Sequence, residues 1–90
     1  MRFEWNTQKA VANLRKHGVS FDEAASVFFD PLSVTAVDPD HSKDENRFVV
    51  FGLSSLGRLL AIAHTERVDA LRIISAREVT RSERKFYEEN

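Results

Sequence analysis

The chain is 90 residues long, 42% hydrophobic and 30% charged, with a formal net charge of −1. That composition suits one small domain spanning residues 1–90 with one modest core, and it argues against intrinsic disorder. The absence of cysteine excludes disulfides, thiolate catalysis, zinc fingers and iron–sulfur clusters, and no apolar run approaches the ~18 residues of a membrane helix. With no apolar stretch behind Met1, a cytoplasmic protein that makes no use of a membrane is expected.

Arg2–Trp5 alternates polar and apolar residues and reads as a short strand with Phe3 and Trp5 on one face. Asn6 then caps a helix from Thr7 to about His17, whose expected buried face is Ala10, Val11 and Leu14. Gly18 follows as its terminator. Ser20-Phe21-Asp22-Glu23 has the form of a capping box. Phe21, Ala24, Ala25 and Phe28 then recur at helical spacing until Asp30-Pro31 stops the helix. Two helices separated by Gly18-Val19 make a tight helical hairpin.

From Leu32 the period changes. Leu32–Val37, Arg47–Leu53, Arg58–Thr65 and Ala70–Ala76 read as strands. Between them lie an acidic loop over Asp38–Asn46, a turn at Ser54–Gly57 and a turn through Glu66–Asp69. Such short connections make these strands antiparallel. Thr80-Arg81-Ser82-Glu83 is a second capping box and opens a terminal helix to about Glu89. The order β-α-α-β-β-β-β-α describes an α+β fold, an antiparallel sheet with a helical hairpin packed on one face and the other face partly open.

Charge is unevenly placed. Asp30–Glu45 holds five acids against Lys43, whereas Arg67–Lys85 holds Arg67, Arg72, Arg77, Arg81, Arg84 and Lys85 against three acids. Most basic residues are arginine, whose planar fork matches phosphate. The three histidines, His17, His41 and His64, have no metal-ligand spacing, and the Asp38-Pro39-Asp40 stretch lacks the spacing and glycine of a calcium loop, so no metal is expected. Phosphate loops, dinucleotide fingerprints and serine elbows are absent too. His64 ends one strand and Arg72 lies on the next. They share a face if the hairpin register sums to 136, and a slip of one residue separates them. Arg72, set among Leu71, Ile73 and Ile74, needs either an anionic ligand or an internal acid such as Glu23. Arg81 and Arg84 share a helix face suited to an RNA backbone, and Tyr87 or Phe86 could stack a base, although Phe86 is expected against the sheet.

Phe3-Glu4-Trp5-Asn6, then Lys9 and Asn13, Lys16-His17-Gly18-Val19, and Phe21 with Glu23-Ala24 resemble the opening of the BrnT toxins. So do His64-Thr65-Glu66-Arg67, the run Arg72-Ile73-Ile74-Ser75-Ala76-Arg77, and Thr80-Arg81 with Glu83. Asn6 stands where that family more often has Asp. The resemblance implies a small RelE-like fold and the toxin of a type II toxin–antitoxin pair. Such a toxin is a metal-independent endoribonuclease that needs no cofactor, arrests growth and is neutralised by a BrnA-type antitoxin, which alone contacts operator DNA. On that reading His64, Arg67, Arg72 and Arg77 are the catalytic candidates, with His64 as base or acid, Arg72 and Arg77 clamping the phosphate, and Arg67 and Lys16 as second choices for charge stabilisation. Lys16, His17, Arg81, Arg84 and Tyr87 are the RNA-binding candidates. The competing class is a non-catalytic module, a toxin relic that binds RNA or protein and serves as a co-repressor.

Overall fold

A computed structural model describes residues 1–38 and 46–90. Residues 39–45 of the acidic loop, His41 among them, therefore lie outside the described residues. The strands are β1 (Arg2–Glu4), β2 (Val34–Val37), β3 (Arg47–Leu53), β4 (Leu59–Glu66) and β5 (Ala70–Glu78). The helices are α1 (Thr7–His17), α2 (Phe21–Ser26) and α3 (Arg81–Glu89), with a single 3-10 turn at Val27–Phe29 running on from α2. The sheet order is β1-β5-β4-β3-β2. β2 to β5 form the expected antiparallel meander. β1 adds to the far side of β5 in parallel, Phe3 opposite Leu71, because the chain crosses over through α1 and α2 before it enters the meander.

One face of the sheet is covered by α1 and α2. Val50, Leu60, Ile62, Ile73 and Ala76 from the strands meet Val19, Phe21, Ala24 and Val27 there. Gly52 permits the close approach: a Cβ at that position would stand 2.9 Å from Val27 Cγ1. Gly18 ends α1 in the left-handed region at φ 69°, where glycine carries no steric penalty.

Two local expectations are corrected. Val11 and Leu14 are about half exposed (52% and 51%), and the buried residue of α1 is Asn13, at 7%. Its Nδ2 donates to the carbonyls of Val19 and Ala76, both at 2.9 Å, while the Ala76 N–H donates to its Oδ1 at 3.1 Å. A polar side chain thus fastens α1 to β5 by pairing backbone groups that burial would otherwise leave unsatisfied. At α2, Ser20 caps as expected, accepting from the Glu23 N–H at 3.0 Å. The Glu23 carboxylate, however, turns inward to the Ser54 hydroxyl at 2.7 Å and to Arg58 Nε at 3.0 Å. The hydrogen bond from Arg58 is the main reason its pKa lies below the ordinary carboxylate range. The Thr80–Glu83 box of α3 closes completely.

Candidate functional site on the open sheet face

The face away from α1 and α2, with α3 against one end of it, is laid out in rows by the strand register. Phe51, Ala61 and Arg77 stand side by side in one row, then Val49, Ala63 and Ser75, then Arg47, Thr65 and Arg72. Glu4 of β1 extends the last row. Small side chains in the middle leave a hollow of about 200 Å³ floored by Ala61, Ala63, Val49 and Ser75, with Arg47, Arg77 and Asp38 on its walls.

Arg72 and Arg77 are five residues apart, and in a regular strand an odd separation points two side chains to opposite faces. The β4–β5 register shifts between Ala63 and His64, leaving Ile74 without a partner, and this bulge brings both arginines to the open face.

The arginines are held by different acids. Arg77 makes a two-pronged pair with Glu83 of α3, Nη1 to Oε1 at 2.7 Å and Nη2 to Oε2 at 2.9 Å. The hydrogen bond from Arg77 outweighs burial and holds the Glu83 carboxyl down to about 2, with the Thr80 N–H assisting. Arg47 donates from Nε to Asp38 Oδ2 at 3.2 Å. Arg72 and Arg67 both approach Glu4 Oε1 at 3.8 Å, so two guanidiniums share one carboxylate and a positive charge is left over. The acid beside Arg72 is therefore Glu4; Glu23 belongs to Arg58. Thr65 lies between Arg47 and Arg72, and its Oγ1 is buried without a hydrogen-bond partner among the described residues.

His64 is not brought to this face. Its register partner is Ile73, and its side chain points into the helix-covered side, 1% exposed, between the rings of Phe28 (4.9 Å) and Phe48 (5.9 Å). Nδ1 lies 3.4 Å from the Ile62 carbonyl. Burial is the leading cause that pushes its pKa below the ordinary histidine value, which favours the neutral ring. It borders a separate concavity of about 670 Å³ on that side, with Phe28, Thr35, Val50 and the Glu66–Asp69 turn.

Lys16 and His17 sit in the last turn of α1, on the covered side, away from the arginines. Arg81 and Arg84 are exposed on α3, Arg84 with Glu88 at 4.0 Å. Tyr87 is tied down: its hydroxyl donates to Asp30 Oδ2 at 2.7 Å, and that bond pushes its pKa up to about 12. Phe86 meets Phe51 edge to face at 5.8 Å yet stays 42% exposed, less buried than expected. Sequence reading missed Arg47, Glu4, Thr65 and Glu83 as parts of this face. Alternation alone could have found Arg47, which has the same parity as Phe51 in its strand. Among the described residues no three His, Asp or Glu side chains are grouped as metal ligands, and no helix is long and apolar enough to cross a membrane.

A crystal structure of the Brucella abortus ribonuclease toxin BrnT superposes with a TM-score of 0.70 at 19% identity, covering 90% of this chain and 99% of that one. At that identity the likeness establishes the fold. A comparison with curated protein sequences finds no match. The model of the family described as "Ribonuclease toxin, BrnT, of type II toxin-antitoxin system" matches residues 5–83, and the chain therefore belongs to the BrnT family of ribonuclease toxins.

Proposed function

We propose that this chain is a growth-arresting endoribonuclease that cleaves RNA on its open sheet face through the RNA's own 2′-hydroxyl, without a metal ion. The observation that carries the reading is that Arg47 and Arg77 wall a small-residue hollow, with Arg72 on the same sheet face, in a ribonuclease-toxin family member. Attack of a 2′-hydroxyl on its neighbouring phosphorus gathers negative charge on the phosphorane oxygens, and guanidinium forks placed beforehand stabilise that charge. Arg72 and Arg77 hold the phosphate, Arg67 adds positive charge beside Arg72 in excess of the Glu4 carboxylate they share, and Arg81 and Arg84 extend the cationic track along α3. His64 has no part in this arrangement and serves the core. A BrnA-type antitoxin neutralises the toxin in the cytoplasm by covering Arg72 and Arg77, and contact with operator DNA passes through that antitoxin.

The test is purified protein incubated with RNA in EDTA, with Arg72→Ala as the control against contaminating nuclease. Products ending in a 2′,3′-cyclic phosphate support the proposal, whereas intact RNA refutes it. Co-expression with the adjacent reading frame and a pull-down tests the antitoxin. One observation favours the second reading, a non-catalytic binding module: no histidine among the described residues reaches the arginine face. RNA binding without cleavage in the same assay would establish that reading.

A further inference from the structure

The Arg77 guanidinium has two donor edges, and the fold uses one. Glu83 occupies the Nη1–Nη2 edge, and Nη1 also reaches the Glu78 carbonyl at 3.3 Å. A guanidinium carries five N–H donors in a rigid plane. Nε–H and the outer Nη2–H thus form a second parallel pair, and no described residue bonds Nε. The carboxylate is itself aimed: the Thr80 N–H donates to Glu83 Oε1 at 2.9 Å, and the Glu83 N–H donates to Thr80 Oγ1 at 3.2 Å. A helix cap therefore orients a carboxylate, the carboxylate orients an arginine, and the arginine borders the hollow over Ala61, Ala63 and Ser75.

Capping requires Glu83 to reach only the Thr80 N–H. The two-pronged grip on Arg77 is additional. The Arg77 side chain is 41% exposed, so solvent screens what the pair adds to stability. Orientation is the better account of the contact.

We propose that Glu83 is a positioning residue for the arginine face, locking Arg77 so that its Nε edge is presented to a phosphate of the bound strand. The inference rests on the ribonuclease reading above. A helix cap is a rigid support for such a group, and misplacement of a clamp by about 1 Å can lower a rate by as much as 10²-fold.

The experiment compares Glu83→Gln, Arg77→Ala and their double variant, with Asn6→Ala as a control that breaks an unrelated helix cap. It measures kcat and KM for RNA, affinity for a non-cleavable 2′-deoxy strand, and thermal melting. Glu83→Gln should lower kcat by about 10- to 100-fold and weaken binding of the 2′-deoxy strand by a smaller factor. Its effect on affinity should vanish in the Arg77→Ala background, since Glu83 acts only through Arg77. Asn6→Ala should lose melting temperature and keep its kcat. A rise in affinity or rate for Glu83→Gln would overturn the proposal and make Glu83 a latch that competes with RNA. Losses that add independently, or a kcat loss matched by Asn6→Ala at equal loss of melting temperature, would overturn it as well. If the wild type cuts no RNA, the ribonuclease reading fails on its own, and the deoxy-strand affinities still decide whether Glu83 acts through Arg77.

Discussion

Asn13→Ala should be the most damaging substitution in α1, although nothing in the apolar pattern marks that position. The change strands the carbonyls of Val19 and Ala76 and the N–H of Ala76, all in a buried setting. A stranded buried backbone group costs about 1–3 kcal/mol, so three groups amount to about 3–5 kcal/mol once some relaxation is allowed. A domain of this size has a total stability of roughly 5–13 kcal/mol. At about 4–8 °C per kcal/mol, melting should fall by at least about 12 °C. Leu14→Ala, one position on, removes a larger apolar side chain that is already half exposed, and should cost only about 1 kcal/mol. Urea and thermal unfolding of both variants, with unchanged m-values, measure the difference. If Leu14→Ala costs as much as Asn13→Ala, α1 is held by its apolar stripe and the asparagine anchor is wrong.

Arg72→Lys should fold normally, since its Glu4 contact is long and the side chain is partly exposed, yet lose about 10²–10³ in RNA cleavage because Lys cannot grip two phosphate oxygens in one plane; wild-type cleavage by the folded variant would remove the bidentate clamp. Thr65→Val keeps the shape and deletes a buried unpartnered hydroxyl, so it should raise stability by about 1–2 kcal/mol in urea unfolding; a loss would show that the hydroxyl has a partner. His64, with its pKa depressed by burial, leaves stability intact above the ordinary histidine value. As pH falls below that value, the unfolded chain takes up a proton that the folded chain refuses, and stability is lost. His64→Phe should flatten that part of the pH–stability curve relative to wild type, and unchanged slopes would show that His64 is not the group responsible.

Most of the architecture was legible because each element carries its own local signal. Asn6, Ser20 and Thr80 cap the three helices as their residue types suggest, and the change from helical to alternating spacing after Pro31 marks the start of the meander. What escaped depends on partners distant in sequence. Glu23 has the right position for a reciprocal cap, but a buried hydroxyl and a half-buried arginine, 31 and 35 residues away, compete for its carboxylate and win. β1 is a three-residue strand whose pairing direction is set by the crossover and not by its own residues. The acid beside Arg72 comes from that same strand.

The site illustrates the limit more sharply, because its composition was readable and its geometry was not. The run Arg72-Ile73-Ile74-Ser75-Ala76-Arg77 announces two arginines, but strict alternation would send them to opposite sides. The bulge at Ile74 adds one residue to β5 and none to β4. From that single step it follows that Arg72 joins Arg77 on the open face, that Ile73 fills the core opposite His64, and that the imidazole is parted from both arginines. A register argument that assumes a regular hairpin can place His64 with Arg72, but it can never place Arg72 with Arg77. The choice is physical: the side facing α2 and Phe28 is apolar and closed, where a neutral imidazole between two rings is tolerated and a guanidinium without a partner is not. The bulge lets one strand satisfy both requirements, delivering its apolar residues inward and both charges to the face where an anion can reach them.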